Sequence, residues 1–434
     1  MTNIVDSTTR PATARTKRRR TLSAVTLGHV IESFDFGVYA YMATTVAVIF
    51  FPSESKFVSL LAVFAVFAVP FLARPLGGVI FGQLGDRVGR RATLVATITM
   101  MGLGSGLIGL LPGYAAIGFW APLFLVVLRL VQGLSMGGET AGAITYAVES
   151  APKGSRGFWG SIAASGSMQG AVLAAGTVLA LNAALTPAQI LDWGWRLPFL
   201  LAFPLASIAL YLRLKVDDSP AFLEAMKDGR TERTPVRTAI KSNGGTILRL
   251  FALCSVMTVG AYLSMVYVIT YLMAELHYSA IMASGVTSAG ILIIIFFYPV
   301  VGRLSDRVGR RRVIRAGLVG LFVLSLPGLL LMGATSGFVT VLLGYLVLLV
   351  PTLLVQSTTY TYMAEMFPVG VRFSGMALAF NAGAVVGGLA PFLATLLIGI
   401  TGSVLVPAFI LMAMAPIGMI AIQGLQETAQ SDLT

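Results

Sequence analysis

Two ten-residue stretches decide how this chain folds: GQLGDRVGRR from Gly82 to Arg91, and GRLSDRVGRR from Gly302 to Arg311. Gly82, Asp86, Arg87, Gly89 and Arg90 of the first copy recur at the same offsets as Gly302, Asp306, Arg307, Gly309 and Arg310 of the second. Each copy separates two long apolar runs. A second pair follows in the same order, with Glu149, Pro152 and Arg156 repeated as Glu365, Pro368 and Arg372. Two motifs duplicated in register mark a duplicated half. The residue types suit a short turn at a membrane surface. Glycine lets two helices reverse tightly, arginines stay beside anionic headgroups, and the aspartate caps or pairs with a neighbouring helix.

Composition identifies the solvent. Of the 434 residues, 56% are hydrophobic and 11% charged, and the mean hydropathy of +0.86 lies outside the range of water-soluble domains. A helix needs about 20 apolar residues to cross the hydrocarbon core, and the chain supplies about twelve such runs. The net charge of +12 is not a nucleic-acid footprint. Arg15, Lys17, Arg18, Arg19 and Arg20 precede the first run, and the other basic residues cluster in alternate connections, as in membrane proteins with positive loops inside. Cys254 is alone in an apolar run, so no disulfide or metal framework is expected. No glycine is followed by lysine, which excludes the Walker A loop, and two histidines with one cysteine exclude the zinc-hydrolase patterns. The chain is therefore not expected to be an enzyme or to hold a cofactor.

In chain order, a basic tail covers 1–20 and a first six-helix bundle 21–215, with spans near 21–51, 57–81, 92–111, 122–148, 158–182 and 195–214. The polar stretch 216–245 links it to a second bundle over 246–424, with spans near 246–274, 281–301, 313–333, 337–363, 373–399 and 403–423, and 425–434 form a short tail. The stretches 82–91, 149–157 and 302–312, the link and the basic tail carry lysine and arginine. Those near 112–121, 334–337 and 400–403 carry none. This asymmetry places both termini in the cytoplasm.

Ionisable side chains inside spanning runs cost about 2.5–3.5 kcal/mol on insertion scales, so they face a partner or a watery cavity. His29, Glu32 and Asp35 lie three apart on the first span, within one broad helical face, and Arg74, Arg129 and Glu139 sit in others. Either Asp35 or Glu32 is expected to pair with Arg129, an ion pair that a proton can switch or that simply fixes helix packing. Arg74 opens a Pro-Gly-Gly stretch, where it is placed either to present its guanidinium to a solute carboxylate or to pair helices. His29, Tyr39, Gln169, Tyr267, Tyr271, Gln356, Tyr360 and Asn381 are the polar and aromatic candidates for a cavity between the halves. The duplicated charges Asp86, Arg87, Arg90, Glu149 and Arg156, with Asp306, Arg307, Arg310, Glu365 and Arg372, suit a gate that locks the two bundles at one end.

Several phrases together resemble one family. They are GHVIESFDFGVYAY at 28–41, FFPS at 50–53, FLARPLGG at 71–78, RLVQGLSMGGE at 129–139, DWGWRLPF at 192–199, DDSPAF at 217–222 and AEMFPVGVRFSG at 364–375. The chain resembles the metabolite:H+ symporters of the major facilitator superfamily, which include proline/betaine, α-ketoglutarate and citrate permeases. His29 departs from that pattern, which commonly has asparagine there. The resemblance implies an all-α membrane protein of twelve transmembrane helices in two pseudo-symmetric six-helix bundles. It implies proton coupling through Glu32, Asp35 and Arg129, the arginine of an RxxQG motif completed by Gln132 and Gly133, with Na+ as the other open choice of ion. Two interior arginines favour import of an organic acid such as α-ketoglutarate or citrate. A zwitterion such as proline or glycine betaine is the alternative, and a non-transporting membrane sensor a more distant one. The expected partners are a small-molecule substrate and the lipid bilayer of a bacterial inner membrane, with no nucleic acid, and the expected state is a monomer.

Overall fold

The computed structural model describes residues 26–27, 29–88, 90–149, 151–152, 154–214, 235–334, 337–368 and 371–431. Among them there is no strand. Helix α1 joins His29–Tyr41 to Ala43–Phe50 with a 64° bend. Then follow α2 (Lys56–Val88), α3 (Arg90–Leu110), α4 (Trp120–Met136, resuming as Glu139–Glu149) and α5 (Arg156–Ala184). Helix α6 joins Pro187–Gly194 to Arg196–Tyr211 with a 41° bend. The second half holds α7 (Pro235–Ala261, then Tyr262–Tyr267 and Val268–Ala274), α8 (Ala280–Val308), α9 (Arg310–Ala334), α10 (Phe338–Glu365), α11 (Arg372–Thr401) and α12 (Val406–Gln423). Nine of these are long and apolar enough to span a membrane. The two bent pairs add two more, and the shorter apolar helix Val95–Leu110 completes twelve among the described residues.

The apolar surplus goes both inward and outward. Phe34, Phe50, Tyr345 and Leu349 are fully buried, whereas Phe296, Ile400 and Ile420 are each 71% exposed on the outer face. An apolar exterior of this kind is stable against lipid tails, so association between helices falls to close packing and polar contacts. Where α2 meets α4, a Cβ at Gly77 would strike the backbone of Leu134, and one at Gly137 the backbone of Gly77 and Gly78. The halves meet chiefly where α5 packs on α8 and α2 on α11.

Several connections differ from expectation. The second copy of the duplicated stretch is not a loop: α8 runs to Val308, α9 begins at Arg310, and Gly309 alone makes the reversal at φ +102°. The first copy likewise falls within α2, which runs to Val88, and α3, which begins at Arg90. Charged residues expected on a loop therefore sit on helix ends. The span over 122–148 is interrupted at Gly137 and Gly138, and α7 begins at Pro235, inside the expected link. Residues 262–267 form a widened π-helical turn in α7, a local insertion common at functional positions.

At φ +102° and ψ 149° Gly309 occupies a backbone region nearly restricted to glycine. Gly309→Ala is expected to destabilise the protein by about 1–3 kcal/mol, read as a lowered unfolding temperature of the detergent-purified transporter, while alanine at the open position Gly176 in α5 leaves it unchanged.

Candidate functional site

The carboxylates of α1 lie one turn apart and part company. Asp35 Oδ2 sits 3.4 Å from Arg129 Nη1 of α4, and Glu32 Oε1 sits 3.2 Å from Arg74 Nη2 of α2. The choice left open for Arg129 falls to Asp35, and Arg74 has a carboxylate from its own half that the sequence did not reveal. Both arginines are buried, Arg129 completely. A guanidinium in that position needs its charge balanced and its N–H groups taken up.

Arg129 donates to Gln132 Oε1 at 3.0 Å, and Gln132 Nε2 in turn lies 2.9 Å from Asp35 Oδ2 and 2.8 Å from Ser105 Oγ of α3. The Tyr39 ring lies under the guanidinium, 3.7 Å from Arg129 Cζ to the centroid, with Phe36 at 5.5 Å. Cation–π contact of this kind adds attraction without adding charge. The three-residue spacing of Arg129 and Gln132 puts both on one face of α4, so the RxxQG motif builds one compact cluster. Asp35 Oδ1 makes no hydrogen bond among the described residues.

Arg74 is held from both halves. It donates from Nη2 to Thr140 Oγ1 of α4 at 2.7 Å and from Nε to Asn381 Oδ1 of α11 at 2.9 Å. Asn381 Nδ2 donates to the Gly137 carbonyl at 2.8 Å, at the interruption of α4. One amide of the second half thus satisfies both an arginine and a broken helix of the first.

Beside Glu32 and Arg74 lies a cavity of 90 Å³ between the halves, lined also by His29, Phe36, Tyr41, Met136, Thr140, Thr258, Tyr262, Gln356, Tyr360 and Phe380. Phe380 stands 4.9 Å from Arg74 Cζ, and Tyr41 OH crosses to the Met265 carbonyl at 3.0 Å. Of the expected lining residues, His29, Arg74, Gln356 and Tyr360 border this space, and Asn381 reaches it through Arg74. Tyr39, Gln169, Tyr267 and Tyr271 do not. Tyr39 donates to Val63 O, Gln169 to Ser165, and Tyr267 accepts from Thr395 and packs on Phe64; Tyr271 is buried. Phe36, Tyr41, Tyr262 and Phe380 were missed. Phe36 and Tyr41 stood inside the FDFGVYAY phrase, while the place of Tyr262 depends on the π-helical turn that it opens.

A second cluster joins the helix ends at the Gly309 reversal. Arg310 donates from Nε and Nη2 to the two oxygens of Glu365, each at 3.1 Å, and lies 2.8 Å from Asp306. Asp306 accepts from the backbone N–H groups of Gly157 and Phe158 at 2.8 and 3.0 Å, capping α5 of the other half. Arg156 Nη1 lies 3.8 Å from Glu365. Four of the duplicated charges, Arg156, Asp306, Arg310 and Glu365, therefore meet. Arg307 is exposed, and Arg372 bonds to Phe367 O next to its own helix. Asp86, Arg87, Arg90 and Glu149 have side chains outside the described residues, as does Glu139.

Buried ion pairs inside an interrupted twelve-helix bundle, with a cavity between two halves and a charged cluster at one end, define a membrane transporter. The chain belongs to the Major Facilitator Superfamily, whose profile matches residues 25–391 and 250–428. It is 37% identical to the proline/betaine transporter of Escherichia coli K12 over 426 residues, covering 96% of this chain and 85% of that one. It is 36% identical to the glycine betaine/proline/ectoine/pipecolic acid transporter OusA of Dickeya dadantii, covering 96% and 84%. The solved structure of the proton:xylose symporter XylE shares the fold, with a TM-score of 0.80 at 16% identity over 96% of this chain and 98% of that one. These relatives are transporters and not enzymes.

Asn381→Ala removes the acceptor of Arg74 Nε and the donor to Gly137 O together. The expected loss is about 1–3 kcal/mol of stability, the penalty for buried polar groups left unpaired, measured as a fall in unfolding temperature. Gln169→Ala, whose side chain donates to Ser165 within its own helix, is expected to leave it within a degree or two.

Proposed function

We propose that this transporter imports a small zwitterionic solute of the proline or betaine kind together with a proton, by alternating access between its two halves. The observation that carries it is the charge balance of the cavity. The one guanidinium bordering it, Arg74, is already balanced by Glu32, and aromatic rings of Phe36, Tyr41, Tyr262, Tyr360 and Phe380 stand among the other lining residues. A zwitterion brings one charge of each sign, so its carboxylate can share Arg74 while its ammonium lies near Glu32 and the ring faces. A di- or tricarboxylate would bring excess negative charge to a site with no unbalanced cation. The organic acid expected from two interior arginines therefore gives way to the zwitterion, because Arg74 and Arg129 each carry a carboxylate of their own. The proline/betaine transporter of Escherichia coli and the glycine betaine/proline/ectoine/pipecolic acid transporter of Dickeya dadantii support the same substrate class.

Proton coupling is assigned to Asp35 and Arg129, with Glu32 linking them to the cavity. Asp35 stands one turn beyond Glu32 on α1, so a change in the Asp35–Arg129 contact is passed to the cavity wall by the helix itself. Protonation of Asp35 removes the charge that holds Arg129, and this differential between protonation states is what can bias two conformations. Asp306, Arg310, Glu365 and Arg156, with Asp86, Arg87, Arg90 and Glu149 as first-half counterparts, form the gate at the cytoplasmic end. Lysine and arginine in the connections support that orientation, both termini inside, in a bacterial inner membrane. The monomer is taken as the unit of transport, supported by a cavity lined by residues of one chain.

The test is uptake into proteoliposomes of labelled proline, glycine betaine, α-ketoglutarate and citrate, with and without an inward proton gradient. Proline or betaine is expected to accumulate only with the gradient. Accumulation of an acid alone would overturn the substrate class. Asp35→Asn is expected to abolish accumulation by at least tenfold while solute exchange across the membrane continues. Equal loss of exchange and accumulation would remove Asp35 from the coupling step.

A further inference from the structure

The segment that follows α12 takes no part in the cavity, and as a short polar tail it carried no expectation of structure. It folds back across the charged end of the bundle. Leu425, Thr428 and Ala429 are buried. The Glu427 carboxylate accepts from the backbone N–H of Arg310 through Oε1 at 2.8 Å and from that of Arg311 through Oε2 at 3.0 Å. These are the opening N–H groups of α9, which have no partner within their helix and form the positive end of its dipole. Thr428 Oγ1 donates to Glu365 Oε2 at 2.6 Å, and Tyr362 OH donates to the Gln426 carbonyl at 2.5 Å.

All of those partners belong to the second half. Ser431 differs: its carbonyl accepts from Arg156 Nη1 at 2.8 Å, and Arg156 opens α5 of the first half. Arg156 therefore faces charge from Glu365 at 3.8 Å and makes its close hydrogen bond to the tail.

We infer that residues 425–431 are a working part of the gate, with Glu427 as the positioning residue that anchors the segment on α9 and the Ser431 carbonyl as the contact that closes it across to Arg156. This rests on the gate proposed above and not on the identity of the solute. A cap for α9 alone would account for Glu427 but not for the continuation of the segment to Arg156. The contacts divide cleanly by half. Those of Gln426, Glu427 and Thr428 survive when the halves part, so the segment travels with the second half. The bond from Arg156 to Ser431 must break, along with the bonds from Gly157 and Phe158 to Asp306. The segment therefore stabilises only the closed form of this end, and a ligand of one conformation shifts the equilibrium by its differential affinity.

Its anchor persists across the physiological pH range. Burial tends to raise the Glu427 pKa, but backbone N–H groups of Arg310, Arg311, Ala429 and Thr428 outweigh it and hold the carboxyl below its ordinary value. A depressed carboxylate contributes above its unfolded pKa and loses that contribution only as pH falls through the lower folded value. The anchor is thus present at neutral pH.

The experiment uses a thiol reporter in the full transporter. Cys254 is replaced by alanine, and Ser161→Cys places a thiol on α5 where a buried side chain abuts Gly302 of α8. Membrane vesicles of both orientations are treated with an impermeant maleimide. Two changes are compared: Glu427→Gln, and a chain ending at Thr428, which keeps Glu427 and removes Ser431. Both are expected to speed labelling from the gate side about fivefold, the population weight of one net hydrogen bond, at unchanged membrane abundance. Wild-type labelling rates in the chain ending at Thr428 would overturn the inference. Asp306→Asn distinguishes the two possible failures. If it speeds labelling and the tail variants do not, the tail is not a gate element; if it also leaves labelling unchanged, the gate itself is wrongly placed.

Discussion

Two guanidinium groups in the interior of a membrane protein have to be neutralised where they stand, and the arrangement of the first half follows from that demand. Arg129 and Arg74 are held by Asp35 and Glu32, both from α1. The three helices α1, α2 and α4 must therefore converge at one height. Glycines at 77, 78, 133 and 137 allow α2 and α4 to approach until their backbones touch. That approach leaves no space for side chains between them and turns the arginines toward α1. Breaking either pair would strand a buried charge, which costs far more than the intact pair contributes.

The halves are joined by apolar and polar contacts together. Phe64 packs on Tyr267 and Phe71 on Tyr262 across the seam. Beside them polar contacts recur: Arg74 with Asn381, Asn381 with Gly137 O, Tyr41 with Met265 O, and Asp306 with the start of α5. A hydrogen bond is directional and contributes only about 1 kcal/mol net, so it breaks over a short displacement. Small residues line the principal seam, where Gly157 and Ser161 of α5 face Gly302 and Ser305 of α8. A seam of small residues such as this one can part and meet again without repacking of large side chains.

The fold and part of the site were legible from single residues. Arg129 was found because a charge in an apolar run is rare and costly, and the RxxQG spacing placed Gln132 on the same face. The pairing of Glu32 with Arg74 was not legible, since both acids of α1 are one turn apart and either reaches a neighbouring helix. Tyr39, Tyr267 and Tyr271 were candidates for the cavity, yet their rings pack against an arginine or other helices, because an aromatic side chain in an apolar run carries no sign of which way it faces. Residues 425–431 showed no periodicity at all. Their structure comes from partners 64 to 275 positions away, such as Tyr362, Arg310 and Arg156.

By itself the sequence determined the solvent, the number and order of the helices, the duplication of the chain and the short list of buried charges. These depend on composition and on spacing along one chain, where the cost of placing a residue in hydrocarbon is local. Folding in three dimensions set which acid meets which arginine, the one-residue reversal at Gly309, which aromatics border the cavity, and the packing of the tail across the charged end. Those outcomes depend on distances between helices far apart in sequence, and hydrogen bonds and ion pairs are decided within fractions of an ångström.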